Sequence, residues 1–126
     1  MRDIKFRVWC EKHKTMVESE NVKTISYGYG KGMYVNADAL CAGKEILMQF
    51  IGLNDKNGIG MYEGDIVNCT YAKCSNKPNG STVICIIIYD NETCSFKLKV
   101  KGSAIKVSFS DNFNEDVEII GNIYEN

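Results

Sequence analysis

Apolar and polar positions alternate with a period of two along most of this chain, the signature of strands with one covered and one solvated face. Ile4, Phe6 and Val8 interleave with Lys5, Arg7 and Trp9, and a polar connection over residues 11–14 leads to Met16 and Val17, so the chain opens on a predicted β-hairpin. Residues 22–27 and 33–35 make a second candidate pair around Gly28, Gly30 and Gly32. A short helix is expected over residues 36–42, ended by Gly43. Residues 46–53 return to a strand pattern. From Asp65 onward five short strands are predicted, at 65–72, 82–89, 94–101, 104–110 and 117–120. The loop over 74–81 holds the only proline, and residues 110–114 supply a single helical turn. Five strands joined in this way have the layout of a small SH3-like barrel. The predicted architecture is mainly β: a strand-rich portion over residues 1–62 followed by an SH3-like barrel over residues 63–126.

One hairpin can be built in register. With Gly102 and Ser103 at the centre of a two-residue turn, Val100 faces Ile105, Leu98 faces Val107 and Phe96 faces Phe109. These three apolar pairs share one face. The other face carries Lys97, Lys99, Lys101, Lys106 and Ser108, with Lys99 directly across from Lys106. Like charges so placed call for a counter-charge, and Asp116 or Glu118 near the last strand is the expected source.

The centre of the chain carries its most distinctive run, Met48-Gln49-Phe50-Ile51-Gly52-Leu53-Asn54-Asp55-Lys56-Asn57-Gly58, followed by Met61-Tyr62-Glu63-Gly64-Asp65-Ile66-Val67. Two turn signals, Asn57-Gly58 and Gly64-Asp65, sit between apolar stretches too short for helices. This run, the opening Arg2-Asp3-Ile4-Lys5-Phe6-Arg7-Val8-Trp9 and the closing Val117-Glu118-Ile119-Ile120-Gly121-Asn122-Ile123-Tyr124-Glu125-Asn126 together resemble the YopX-like proteins encoded by bacteriophages and prophages. The resemblance implies a small, mostly β protein whose C-terminal part is an SH3-like barrel, assembled as an oligomer, and it implies no particular activity. The chain departs from the family pattern in two places. Cys10 stands where an acidic residue is common, and Ile59-Gly60 replace a charged pair after the Asp55-Lys56-Asn57-Gly58 turn.

Composition narrows the function classes. A chain of 126 residues buries roughly two-thirds of its unfolded surface, enough for a real core. A formal net charge of −1 gives no global attraction to nucleic acid or to acidic membranes. No apolar run reaches membrane-spanning length and the N-terminus is unlike a signal peptide, so no membrane association and a cytoplasmic location in a bacterial host are expected. The six cysteines, at 10, 41, 69, 74, 85 and 94, form no C-x-x-C pair and come without an export signal, so six free thiols are expected. Cys85, inside Val83-Ile84-Cys85-Ile86-Ile87-Ile88, reads as a small core hydrophobe. A zinc site built from Cys69, Cys74, Cys94 and His13 lacks a compact second ligand pair. Neither a metal nor a cofactor is therefore expected.

Catalytic motifs are equally scarce. The only histidine, His13, sits in a charged turn with no orienting acid beside it, a poor partner for a cysteine nucleophile. The Tyr27-Gly28-Tyr29-Gly30-Lys31-Gly32 segment lacks the spacing of a phosphate-binding loop and reads as a hairpin tip. Glu63 and Asp65 flank Gly64, and Asp65 is expected to organise its turn through nearby backbone N–H groups. Binding thus ranks above enzymatic activity, and two versions compete. In one, Trp9, Tyr62 and Tyr124 contact another protein chain, either a partner or a second copy. In the other, Lys97, Lys99, Lys101 and Lys106 neutralise phosphates while tyrosines stack on bases. An antiparallel sheet needs a polar outer face in any case, which places the nucleic-acid reading second.

Overall fold

The computed structural model describes residues 3–28, 32–35, 45–69, 82–109 and 117–125. The helix expected at 36–42, the loop at 74–81 and the turn at 110–114 lie outside the described residues, as does Asp116. Within the described residues the fold is all-β, with one 3-10 turn at Ser19–Asn21. The chain forms two compact units, Met1–Phe50 and Ile51–Asn126. The division falls at 50/51 rather than after Tyr62, because Met61 belongs to the buried core of the second unit, and the partly buried Ile51 and Leu53 pack against it.

In the first unit, β1 (Phe6–Cys10) pairs antiparallel with β2 (Thr15–Val17) on one side and with β5 (Glu45–Asn54) on the other. This is the expected opening hairpin, closed by a tight turn in which Lys14 has φ 54° and pairs with Glu11. The alternation of β1 does not carry through to exposure. Arg7, Val8, Trp9 and Cys10 are all buried, so β1 is covered on both faces. Cys10 is disulfide-bonded, which corrects the expectation of six free thiols, while Cys69, Cys85 and Cys94 form no disulfide. Spacing alone did not reveal that bond, because chain separation does not report which cysteines the fold brings together. The second hairpin, β3 (Ile25–Gly28) with β4 (Gly32–Val35), matches the expected pair.

The second unit takes up the end of β5, which lies beside β6 (Gly60–Tyr62). Then β7 (Asp65–Cys69), β8 (Val83–Asp90), β9 (Ser95–Val100) and β10 (Lys106–Ser108) form an antiparallel meander, and β11 (Val117–Asn122) returns to pair with β7. The sheet order is therefore β10-β9-β8-β7-β11, a curled half-barrel with the SH3-like layout. Its inner face holds Val67, Cys69, Val83, Cys85, Ile87, Leu98 and Val117, joined by Met61. A one-residue bulge between Ile119 and Gly121 bends β11 along β7.

The turns are built as the sequence implied. Asp55 Oδ1 accepts the N–H groups of Asn57 and Ile59, both at 2.9 Å, and its Oδ2 accepts that of Ile119 at 3.1 Å, tying the β5–β6 turn to β11. Burial works against the charged carboxylate, but these three bonds and nearby Lys56 outweigh it and hold its pKa below the usual value. Gly58 and Gly64 have φ of 81° and 85°, the left-handed region that side chains with a Cβ avoid. Asp65 Oδ2 accepts the Tyr62 N–H at 2.8 Å, and the Gly64 N–H donates to the Ile87 carbonyl at 2.8 Å.

Candidate functional site

The expected β9–β10 register is the observed one: Lys106 opposes Lys99, Val107 opposes Leu98 and Ser108 opposes Lys97. Only the turn differs. The Ser103 N–H donates to the Val100 carbonyl at 3.1 Å and Gly102 takes φ 77°, so the turn closes one residue earlier than a Gly102-Ser103 centre requires. The lysines consequently share one face of the five-stranded sheet, and the same face continues across β8. Ile86 opposes Lys99, Ile88 opposes Lys97, and Ile84 sits beside Lys101, whose N–H it accepts at 2.9 Å. Farther on, Ile66 opposes Ile86, Asn68 opposes Ile84 and Glu118 opposes Asn68.

The outer face is thus not the plain polar surface expected of a one-side-solvated antiparallel sheet. Its middle is a stripe of isoleucines, of which Ile84 is 42% exposed and Ile66, Ile86 and Ile88 are half-buried. On one side of the stripe lie the lysines. At the end of β8 the stripe runs into a shallow hollow lined by Glu63, Ile86, Ile88, Tyr89, Ile123 and Tyr124. Tyr89 stacks edge-on against Phe96 with ring centroids 5.3 Å apart.

Asp90 governs the charge of the lysine flank. It closes β8, is 5% exposed, and receives the Thr93 hydroxyl at 2.9 Å and the Glu92 N–H at 3.1 Å. The ammonium groups of Lys97 and Lys106 lie 3.2 and 3.5 Å from its two oxygens. Burial by itself would raise its pKa. The hydroxyl, the backbone N–H and the two ammonium groups outweigh that penalty and bring it down to about 2. The counter-charge therefore comes from Asp90 and not from Glu118, which pairs instead with Lys56 at 3.3 Å. Register explains the difference: Asp90 is on the lysine side of the sheet, whereas Glu118 lies two strands beyond β8. Among the described residues Lys99 and Lys101 have no ion-pair partner.

The aromatic candidates are not equivalent. Trp9 is 3% exposed and donates its indole N–H to Glu11 Oε2 at 2.9 Å. Tyr62 is also buried. Tyr124 alone lines an open surface, held by a turn in which its N–H donates to Asn122 Oδ1 at 3.0 Å. Sequence reasoning missed the outer isoleucines and Asp90 as site residues. The signal was present in Val83-Ile84-Cys85-Ile86-Ile87-Ile88, where both parities are apolar, so no assignment of faces leaves that strand with a polar side. Among the described residues no three of His, Cys, Asp and Glu are grouped to hold a metal, and no helix is long and apolar enough to cross a membrane.

Fold and surface define a small all-β protein with an SH3-like half-barrel that presents an apolar stripe beside a basic flank. The family model described as YopX protein matches residues 5–126, and the chain belongs to that family. In fold it is similar to the crystal structure of protein EF1440 from Enterococcus faecalis, with a TM-score of 0.61 and 22% sequence identity, covering 100% of this chain and 96% of the other. No curated protein matches the chain.

Proposed function

We propose that this protein is a non-enzymatic binding or assembly module, encoded by a phage or prophage and acting in the cytoplasm of the bacterial host. One observation carries the reading: the central strand of the half-barrel is apolar on both faces, and Ile84 on the outer one is open to solvent. An apolar stripe on an otherwise solvated sheet face has a cost in water that contact with another molecule removes. The non-enzymatic part rests on how the buried carboxylates are used. Asp55, Asp65 and Asp90 each accept turn N–H groups, which supports structural roles for them. The cytoplasmic part stands against the Cys10 disulfide, since reducing cytosol keeps thiols apart. The mass of alkylated protein from freshly lysed cells decides between bonded and free cysteine.

Nucleic-acid binding is the second reading, favoured by Lys99 and Lys101 and weakened by the tie of Lys97 and Lys106 to Asp90. Light scattering and a nucleic-acid shift assay, run on wild type and on a Lys99→Gln/Lys106→Gln double variant, separate the two. The module reading expects no nucleic-acid shift with either protein. A salt-sensitive shift that disappears in the double variant replaces it with the second reading.

A further inference from the structure

We infer that the outer face of the half-barrel docks an acidic amphipathic segment of another protein, with apolar side chains on the isoleucine stripe and carboxylates over Lys99 and Lys101. The inference rests on the module reading above and names the partner of that same surface.

Charge complementarity selects this occupant. The basic flank carries four ammonium groups, and among the described residues the one carboxylate within ion-pair distance of any of them is that of Asp90, which takes up Lys97 and Lys106. Lys99 and Lys101 remain, each directly beside a stripe residue, Ile86 and Ile84 respectively. A ligand that covers the stripe therefore brings its own edge against two cations, and carboxylates on that edge meet them. Asp90 makes the arrangement stable without a ligand: it offsets the repulsion between Lys106 and its neighbours across the strand.

The other occupants fit less well. A second copy related by a two-fold axis along β8 lays Lys99 and Lys101 over the Ile66 and Asn68 of its mate, where the carboxylate of β7, Asp65, is buried, and Glu118 beyond them is already held by Lys56. An axis across the strands sets lysines on lysines. A nucleic acid satisfies the lysines but leaves the stripe facing phosphate and sugar, because the strand between the cations and the far edge offers isoleucines where single-strand readers place aromatic rings.

The probe is a set of three synthetic amphipathic peptides of equal length: one with leucines on one face flanked by glutamates, one with lysines replacing the glutamates, and one with serines replacing the leucines. Binding is read by fluorescence anisotropy and by amide chemical shifts of the labelled protein. The leucine–glutamate peptide is expected to bind, to shift amides of β8 and β9, and to weaken as salt is raised. Ile84→Ser and a Lys99→Glu/Lys101→Glu variant are each expected to lower its affinity by about 5-fold or more. All three positions are exposed or half-exposed, so the fold tolerates the changes. The charge-reversed variant is expected to take up the leucine–lysine peptide instead. Equal binding of the glutamate and lysine peptides to wild type, binding of the serine peptide, or shifts confined to other strands overturns the inference. Failure of every peptide overturns it too, and light scattering and nucleic-acid shift on the same sample then show whether the broader module reading survives. Self-association abolished by Ile84→Ser keeps that reading and replaces the partner with a second copy.

Discussion

On the inner face of β8, Val83, Cys85 and Ile87 are closed in by Val67, Leu98 and Val117, whereas on its outer face Ile84, Ile86 and Ile88 have lysines on one side and open surface above. The residues are of one chemical kind and sit on one strand, so intrinsic propensity cannot separate their roles. What differs is the company each face keeps. Inner positions meet other apolar side chains from four strands, and their burial is repaid by packing. Outer positions lie across the strand from lysines, and Ile84 is left 42% exposed. The comparison teaches that half of this strand holds the barrel together and the other half is available for contact.

The contrast is broken most severely from the inside. Leu98→Ala removes a fully buried side chain opposite Ile87 and is expected to cost about 2–5 kcal/mol in urea unfolding. A loss below about 1 kcal/mol would falsify the placement of the core. Next comes the clamp at the barrel's edge. Asp55→Ala strands three backbone N–H groups at once, and an effect of about 2–3 kcal/mol is expected, since each donor left without a partner in a buried turn is costly. Retention of wild-type stability in Asp55→Ala would mean that water replaces the carboxylate freely.

Gly64→Val tests the entry to the half-barrel. A β-branched residue at φ 85° is strained, and about 1–3 kcal/mol is expected to be lost. A variant that melts with wild type shows that the turn relaxes to another conformation. By contrast Ile84→Ser, on the outer face, is expected to change stability by about 1 kcal/mol or less, because so much of the side chain is already in water. If Ile84→Ser destabilises as strongly as Leu98→Ala, the two faces are not distinct and the docking surface is core.

The smallest effect sharpens the electrostatic side of the comparison. Asp90 titrates near 2 in the folded protein against an ordinary value of 3.8, so its depressed pKa stabilises the fold above about pH 4, and this contribution is lost as pH falls toward 2. The melting-temperature gap between wild type and Asp90→Asn is therefore expected to be larger at about pH 5 than at about pH 2.5. A gap that does not change with pH places the charge of Asp90 outside the lysine network.

Much of this fold was legible in the sequence, and the reason is local. Strand period, turn chemistry at Asn57-Gly58 and Gly64-Asp65, and the β9–β10 register are set by neighbours close along the chain, and each is found as read. The alternation of Leu98 and Val100 with Lys97, Lys99 and Lys101 fixed which residues share a face before any strand order was known. Tertiary structure decided the rest. Which carboxylate neutralises the lysines depended on where β8 ends relative to β9, and that placed Asp90 there and sent Glu118 to Lys56. The burial of Trp9 and Tyr62, and the exposure of Ile84, followed from what covers each strand on both sides. That Cys10 is bonded is likewise a property of the folded chain. A sequence pattern specifies the direction in which a side chain leaves the backbone, but exposure, ion pairing and disulfide bonding are properties of pairs that only folding brings into contact.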